Sequence, residues 1–375
     1  MSTNPTSRAW AEIDSAALLR NARSVQSSVG PNARLLPVVK ADAYGLGVAE
    51  TVQALRPADP WGFGVATAEE GMELRSLGVT RPVVVMSPVP EGSLRAALKA
   101  DLQIGISSLD ALRMTEDTAR SLGTRAAIHL EIDTGMGRAG LDWRVADTWG
   151  PVVSQTTADG LRWVGCYTHL HSADEDSASV HEQWRRFRST LQHLEPPAGV
   201  VVHVLNSAGA VRFPEYGVTV VRPGIFLYGG GVGVGFPTPE PVVALRARVV
   251  HLKDAAPGDT VGYGATYRAK GPERWATLSI GYGDGLPRAL GDQGHALLQG
   301  VRTPIIGRIS MDVTVVDITG APDIELGDTA TLIGADGDRR ITLDEVAELA
   351  GTISYEVLTG LTTRIPRIWK GIDGS

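Results

Sequence analysis

Apolar residues recur at helical spacing between positions 15 and 29. Leu18, Leu19, Ala22, Val25 and Val29 fall on one stripe, Asp14 can cap the start, and Gly30-Pro31 ends the run. This pattern predicts a helix over Ser15–Val29. The next run, LLPVV, is continuous and β-rich, as in strands buried on both faces. Similar runs predict strands at Leu35–Val39, Gly62–Ala66, Pro82–Met86, Gln103–Ile106, Ala126–Ile132, Leu161–Thr168, Val200–Leu205 and Gly217–Val221. The fourth, around QIGIS, is short. Helical stretches such as EEGMELRSLG, SLDALRMTEDTARSLG and HEQWRRFRSTLQHL lie between them. Eight strands alternating with helices point to an α/β architecture, an N-terminal (β/α)8 TIM-type barrel. An open doubly wound sheet is the alternative.

The pattern changes near Gly235. GFPTPEPVV is a proline-rich break, and beyond it strand-like runs follow one another without helices: VVALRARVVHL, WATLSIGY, HALLQG, TPIIGRI, VTVVDIT and TATLIG. Turn signals PGD, GDQG and ADGD separate them. One helical stretch, TLDEVAELAG, remains. A barrel over residues 13–235 and a mainly β C-terminal domain over residues 236–375 are expected.

Composition narrows the function classes. A chain of 375 residues exceeds the usual size of one core. The net charge of −7 argues against a nucleic-acid partner, which would require a basic face. Cys166 is the only cysteine, which excludes an intramolecular disulfide and any multi-cysteine metal site; no metal is expected. MSTNPTSRAW lacks the features of a signal peptide, and no apolar run reaches membrane-span length. A cytoplasmic protein without a membrane partner is expected.

Barrel enzymes carry their chemistry at the C-terminal ends of strands. That rule selects Lys40 after strand one, Glu131 to Arg138 after strand five and His169 after strand six. It also selects Asn206 and Ser207 after strand seven, and Arg222 with Gly224 after strand eight. A lysine leaving a buried strand would be partly desolvated, which lowers its pKa and frees the amine for carbonyl chemistry. On position alone, a lysine snorkelling at a strand end remains the commoner reading.

The segment VVKADAYGLG around Lys40 resembles the lysine motif of the alanine racemase family. IDTGMGRAG, YTHLHSADE, NSAG and VRPGIFLYG resemble that family's barrel motifs. VGYGATY, IGYGDG, GRISMD and SYEVLTGLTTRIPR resemble its second-domain motifs, and all occur in family order over nearly the whole chain. The resemblance implies a pyridoxal-phosphate-dependent racemase that interconverts L- and D-alanine and supplies D-alanine for peptidoglycan. A broad-specificity racemase for serine and other small amino acids is the alternative. It also implies that residues 1–12 pack on the β domain.

The resemblance carries roles residue by residue. Lys40 would bond the cofactor covalently and act as one base, and Tyr263 of the partner subunit would be the second. Tyr44, Ser207, Gly224, Ile225 and Tyr355 would hold the phosphate, with Asn206 and His169 also lining the cofactor site. Arg222 would face the pyridine nitrogen, and His169 and His203 would link it towards the catalytic tyrosine. Arginine keeps its proton at neutral pH, so it can only donate to that nitrogen. Arg138 and Met311 would bind the substrate carboxylate, and Asp174, Tyr282, Arg288, Arg308 and Asp312 would surround the entrance. A homodimer with composite sites follows.

One position departs from the family. Where many members have a carbamylated lysine, this chain has Glu131, in HLEIDTG. A glutamate there could supply negative charge to Arg138 without modification, although it is shorter. A barrel-type decarboxylase is a further rival. Such enzymes usually pair the pyridine nitrogen with an acid, and this chain offers Arg222 instead. A non-enzymatic carrier of the cofactor would lack the second domain.

Overall fold

A computed structural model describes residues 6–372 except positions 218, 234 and 322. Asp14 caps the first helix, Ser15–Val29, by accepting from the N–H of Ala17 at 2.9 Å. The same side chain type, pattern and end residue that predict this helix therefore set its bounds.

The N-terminal part is a closed ring of parallel strands. Phe63–Val65, Val83–Val85, Gln103–Ile106, Ala127–Asp133, Arg162–Tyr167 and Val201–His203 pair in that order. Val38 bridges to Gly64, and Val220–Val221 pairs in parallel with Arg34–Leu35. The ring closes where the N–H of Thr219 reaches the Val202 carbonyl at 3.2 Å and that of Arg222 reaches the Leu205 carbonyl at 2.8 Å. The TIM-type barrel expected from the alternation is present. The first strand is shorter than LLPVV suggests because Pro37 has no N–H to give the ladder. Its carbonyl still accepts from Gly64 at 2.9 Å. Val83–Val85 is buried throughout, as a strand between a filled barrel interior and covering helices must be.

The second part is mainly β. Its central strand, Val243–Ala255, pairs antiparallel with Glu273–Leu278 and Thr329–Asp336. It also pairs antiparallel with Ala9–Asp14, which in turn runs parallel to Arg367–Lys370. The predicted helix is Leu343–Ala350, capped by Thr342. A short helix, Ser354–Thr359, follows it and was not foreshadowed by periodicity. It carries Tyr355 towards the barrel.

One buried carboxylate ties this part together. Asp284 is inaccessible to solvent and accepts from Arg8 at 2.5 and 3.0 Å, with Arg364 at 3.2 Å. Arg364 continues to Asp312 at 2.6 Å. The loop holding Tyr282 docks on the one holding Met311, with Tyr282 N–H to Ser310 O at 3.0 Å and Gly283 N–H to Met311 O at 2.8 Å. Among the described residues, no helix is long and apolar enough to cross a membrane.

Candidate active site

The chain turns sharply after Lys40. Ala41, Asp42, Ala43 and Tyr44 all lie in the left-handed region, at φ between 52° and 59°. Each such non-glycine residue costs on the order of 1–2 kcal/mol, so four in a row must be held from outside. The holds are visible. The N–H of Ala41 donates to Glu70 Oε1 at 2.7 Å, and that of Val48 to Asp42 Oδ1 at 2.7 Å. The ring of Tyr44 stacks on Tyr228, with centroids 4.6 Å apart. Tyr228 is fixed by donating to the Val38 carbonyl at 3.0 Å. This turn directs Lys40 and Tyr44 into one cleft.

That cleft sits at the C-terminal ends of the barrel strands and encloses about 740 Å³, including the part open to solvent. Lys40, Tyr44, Arg138, His169, Asn206, Ser207, Arg222, Gly224, Ile225 and Tyr355 all line it. Residues distant in sequence are thus brought together as the motifs implied. Three of the lining side chains are basic and only Glu131 is acidic, so the cleft favours an anionic ligand.

Arg222 is buried beneath the cleft. Nη1 donates to His203 Nδ1 at 3.1 Å and to the His203 carbonyl, and Nη2 donates to the carbonyls of Thr168 at 2.8 Å and Val204 at 3.2 Å. A guanidinium has five N–H donors. These bonds engage the four on the terminal nitrogens, and Nε–H is left for a partner in the cleft. Burial lowers the pKa of Arg222 to about 10, which leaves it charged at neutral pH. The ring of Tyr167 lies beside it, stacked on His203 at 4.8 Å. Tyr167 was not singled out from sequence. In sequence it opens the YTHLHSADE motif, where no role was assigned to it.

One end of the cleft is rich in small residues and hydroxyls. Ser207 Oγ accepts from the N–H groups of Gly224 at 2.8 Å and Phe226 at 3.3 Å. Glycine is required at 224 by contact, because a Cβ there would lie 2.1 Å from the Tyr44 hydroxyl. Asn206 caps the helix Ser207–Arg212, accepting from Gly209 at 2.9 Å. Its position in the site is therefore partly structural.

Pyridoxal phosphate fits this donor set. Its phosphate matches the hydroxyls of Tyr44, Ser207 and Tyr355, its ring nitrogen can accept from Arg222 Nε, and Lys40 supplies an amine. Burial, with Arg138 nearby, lowers the pKa of Lys40, while Glu70 opposes the shift. A lowered pKa makes the nucleophilic, uncharged amine easier to reach than in a free lysine. Burial lowers His169 to about 3, so it is a neutral imidazole.

Glu131 is 6% exposed and lines the same cleft. Burial raises its pKa, and the fields of Arg138 and Arg222 work against that rise. Tyr167 lies within hydrogen-bonding reach of it.

Several candidates stand elsewhere on the chain. Tyr263 is 68% exposed and Met311 51% exposed, and neither lines the cleft. Asp174, Tyr282, Arg288, Arg308 and Asp312 also lie outside its lining. Arg308 packs near the Tyr263 turn: a Cβ on Gly264 would come 2.9 Å from its guanidinium. Glu70 was missed from sequence. In sequence it is one residue of the helical stretch EEGMELRSLG; in the fold it also forms a capping box with Thr67.

Two family models match successive parts of the chain. Residues 13–231 match a family model described as alanine racemase, N-terminal domain, and residues 242–369 match alanine racemase, C-terminal domain. The chain is 37% identical to an alanine racemase of Halothermothrix orenii, over 99% of this chain and 98% of that one. It superposes on the alanine racemase of Streptomyces coelicolor with a TM-score of 0.92 at 33% identity, covering 99% and 100% of the two chains. It also resembles the Bartonella henselae alanine racemase with covalently bound pyridoxal phosphate, at TM-score 0.89 and 29% identity, covering 97% and 100%.

Proposed function

Because this chain belongs to the alanine racemase family and interconverts L- and D-alanine with pyridoxal phosphate, we propose that it works with two opposed bases, Lys40 and the partner's Tyr263. The observation that carries this reading is the pairing of a cleft built around Lys40 with a highly exposed Tyr263 outside it. A tyrosine carried outward on the VGYGATY turn is suited to reach a neighbouring copy. The chain therefore acts as a homodimer with two composite sites.

Bound pyridoxal phosphate supplies the electron withdrawal that makes an amino acid's Cα–H acidic. The rest of the work falls to the protein. Tyr44, Ser207, Gly224, Ile225 and Tyr355 hold the phosphate end, and Arg222 offers Nε–H to the ring nitrogen without surrendering its proton. Arg138 and the partner's Met311 hold the substrate carboxylate, which fixes Cα between the two bases. In one direction the Lys40 amine takes the proton from one face of Cα, and the tyrosine hydroxyl returns a proton to the other. In the reverse direction the tyrosine oxygen takes the proton and Lys40 returns one. Asp174, Tyr282, Arg288, Arg308 and Asp312 restrict the entrance to small amino acids. The D-alanine formed serves peptidoglycan synthesis.

Purified protein with pyridoxal phosphate should abolish the optical rotation of L-alanine faster than that of L-serine or larger amino acids. Equal rates for serine would favour the broad-specificity reading. Lys40→Ala should lose both turnover and the long-wavelength absorbance of the bound cofactor; retention of both would sink the role of Lys40.

A further inference from the structure

A chain of hydrogen bonds leads away from Arg222 through the barrel interior. His203 Nδ1 is 3.1 Å from Arg222 Nη1, His203 Nε2 is 2.9 Å from His129 Nδ1, and His129 Nε2 is 2.7 Å from Gln103 Oε1. Both histidines are wholly buried, and Gln103 begins the strand Gln103–Ile106 outside the lining of the cleft.

The direction of every proton in this chain follows from its ends. Arginine has no acceptor, so it favours a His203 with a bare Nδ1 and its hydrogen on Nε2. His129 then accepts at Nδ1 and carries its hydrogen on Nε2, provided that hydrogen is itself accepted. That hydrogen needs an acceptor, and the Gln103 carbonyl oxygen is the one in reach. We propose that Gln103 is a positioning residue: as the terminal acceptor of a one-way chain Arg222→His203→His129→Gln103, it locks both imidazoles in the Nε2–H tautomer and aims Arg222 at the cofactor. The inference rests on the reading of Arg222 as the partner of the ring nitrogen.

The alternative arrangement is self-defeating. If His129 carried its hydrogen on Nδ1, that N–H would oppose the N–H of His203, or force His203 to place its own hydrogen against Arg222. Either way two donors meet in a buried site, where an unmade hydrogen bond is costly. Burial lowers the pKa of His129 to about 3 and that of His203 well below its ordinary value, so neither ring escapes the conflict by ionising. The packing is close as well. The His129 ring lies directly against Gly165, where a Cβ would come 1.8 Å from its Nδ1.

The test is the tautomer of each ring, read by two-bond 1H–15N correlation on histidine-labelled protein at pH 7. Resonances are assigned by single histidine replacements. In the wild type, with or without pyridoxal phosphate, His129 and His203 should both show Nε2–H. Gln103→Met has similar size but no carbonyl. It should give mixed tautomers and lower kcat roughly tenfold or more, with KM little changed. Gln103→Glu restores an acceptor oxygen and should return His203 to Nε2–H. An Nδ1–H or doubly protonated His203 in the wild type overturns the proposal, whether or not the variants fold. So do unchanged tautomers in Gln103→Met. Because the tautomers are read on cofactor-free protein, their failure is distinct from a failure of the two-base reading, which only kinetics can report.

Discussion

The carboxylate of Glu70 accepts from the N–H of Ala41 at 2.7 Å, and so ties the residue after the proposed base to the next barrel helix. Its other oxygen accepts from Ala66 at 2.8 Å and Thr67 at 3.2 Å. One side chain thus caps a helix and braces the left-handed turn. Glu70→Gln puts an NH2 where one of these donors needs an acceptor. It should lower stability by about 1–2 kcal/mol and weaken pyridoxal phosphate binding. Denaturant midpoints and cofactor titration check this. An unchanged cofactor affinity would remove Glu70 from the support of Lys40.

Tyr263→Phe should cut racemisation by roughly 10²–10⁴-fold while leaving pyridoxal phosphate bound. Deuterium exchange at Cα should persist for the enantiomer whose proton faces Lys40 and vanish for the other. Racemisation should slow equally in both directions, and equal loss of exchange from both enantiomers would contradict a one-sided role. Mixing Lys40→Ala and Tyr263→Phe subunits should restore activity to about a quarter of wild-type sites if sites are composite and mixing is random. No recovery in proven heterodimers would refute shared sites.

Glu131→Gln keeps the shape of the side chain and removes its charge. If that charge steadies Arg138, KM for alanine should rise and kcat/KM should fall about tenfold, a loss of about 1.4 kcal/mol of transition-state binding. The measurement is steady-state kinetics in both directions. Unchanged parameters would exclude Glu131 from substrate binding.

The two fully buried histidines should make the fold acid-sensitive. The unfolded chain takes up protons on both rings as pH falls through about 6.5. The folded chain resists, down to about 3 at His129. Stability present above pH 6.5 is therefore lost progressively as the pH drops through that window. Each ring contributes a slope of about 1.4 kcal/mol per pH unit once the unfolded form is protonated. Urea midpoints between pH 7 and 5 should fall, and His129→Gln should flatten the trend. An identical slope in that variant would show that His129 is not the cause.

Much of the architecture was readable from local pattern alone. The helix Ser15–Val29, the eight barrel strand positions and the turn to a β-rich second half all rest on periodicity and on caps within a few residues. The same is true of the functional shortlist. Lys40, Ser207, Arg222 and Gly224 sit where strands end, and strand ends are set by neighbouring residues. Motif resemblance then supplied the chemistry that each position could perform.

Other properties needed the folded chain, because they are relations between residues far apart in sequence. Nothing around Glu70 in sequence says that its second oxygen reaches Ala41. Nothing near Gln103 reveals that it ends a hydrogen-bond chain begun at Arg222. Which donor Arg222 keeps for the cleft depends on carbonyls from two other strands. The left-handed run from Ala41 to Tyr44 breaks local preference, and only outside contacts sustain it. Local preference specifies elements through short-range sterics and capping. The direction of a hydrogen bond, the burial of a charge and the aim of a side chain are decided by what the whole fold brings within a few ångströms.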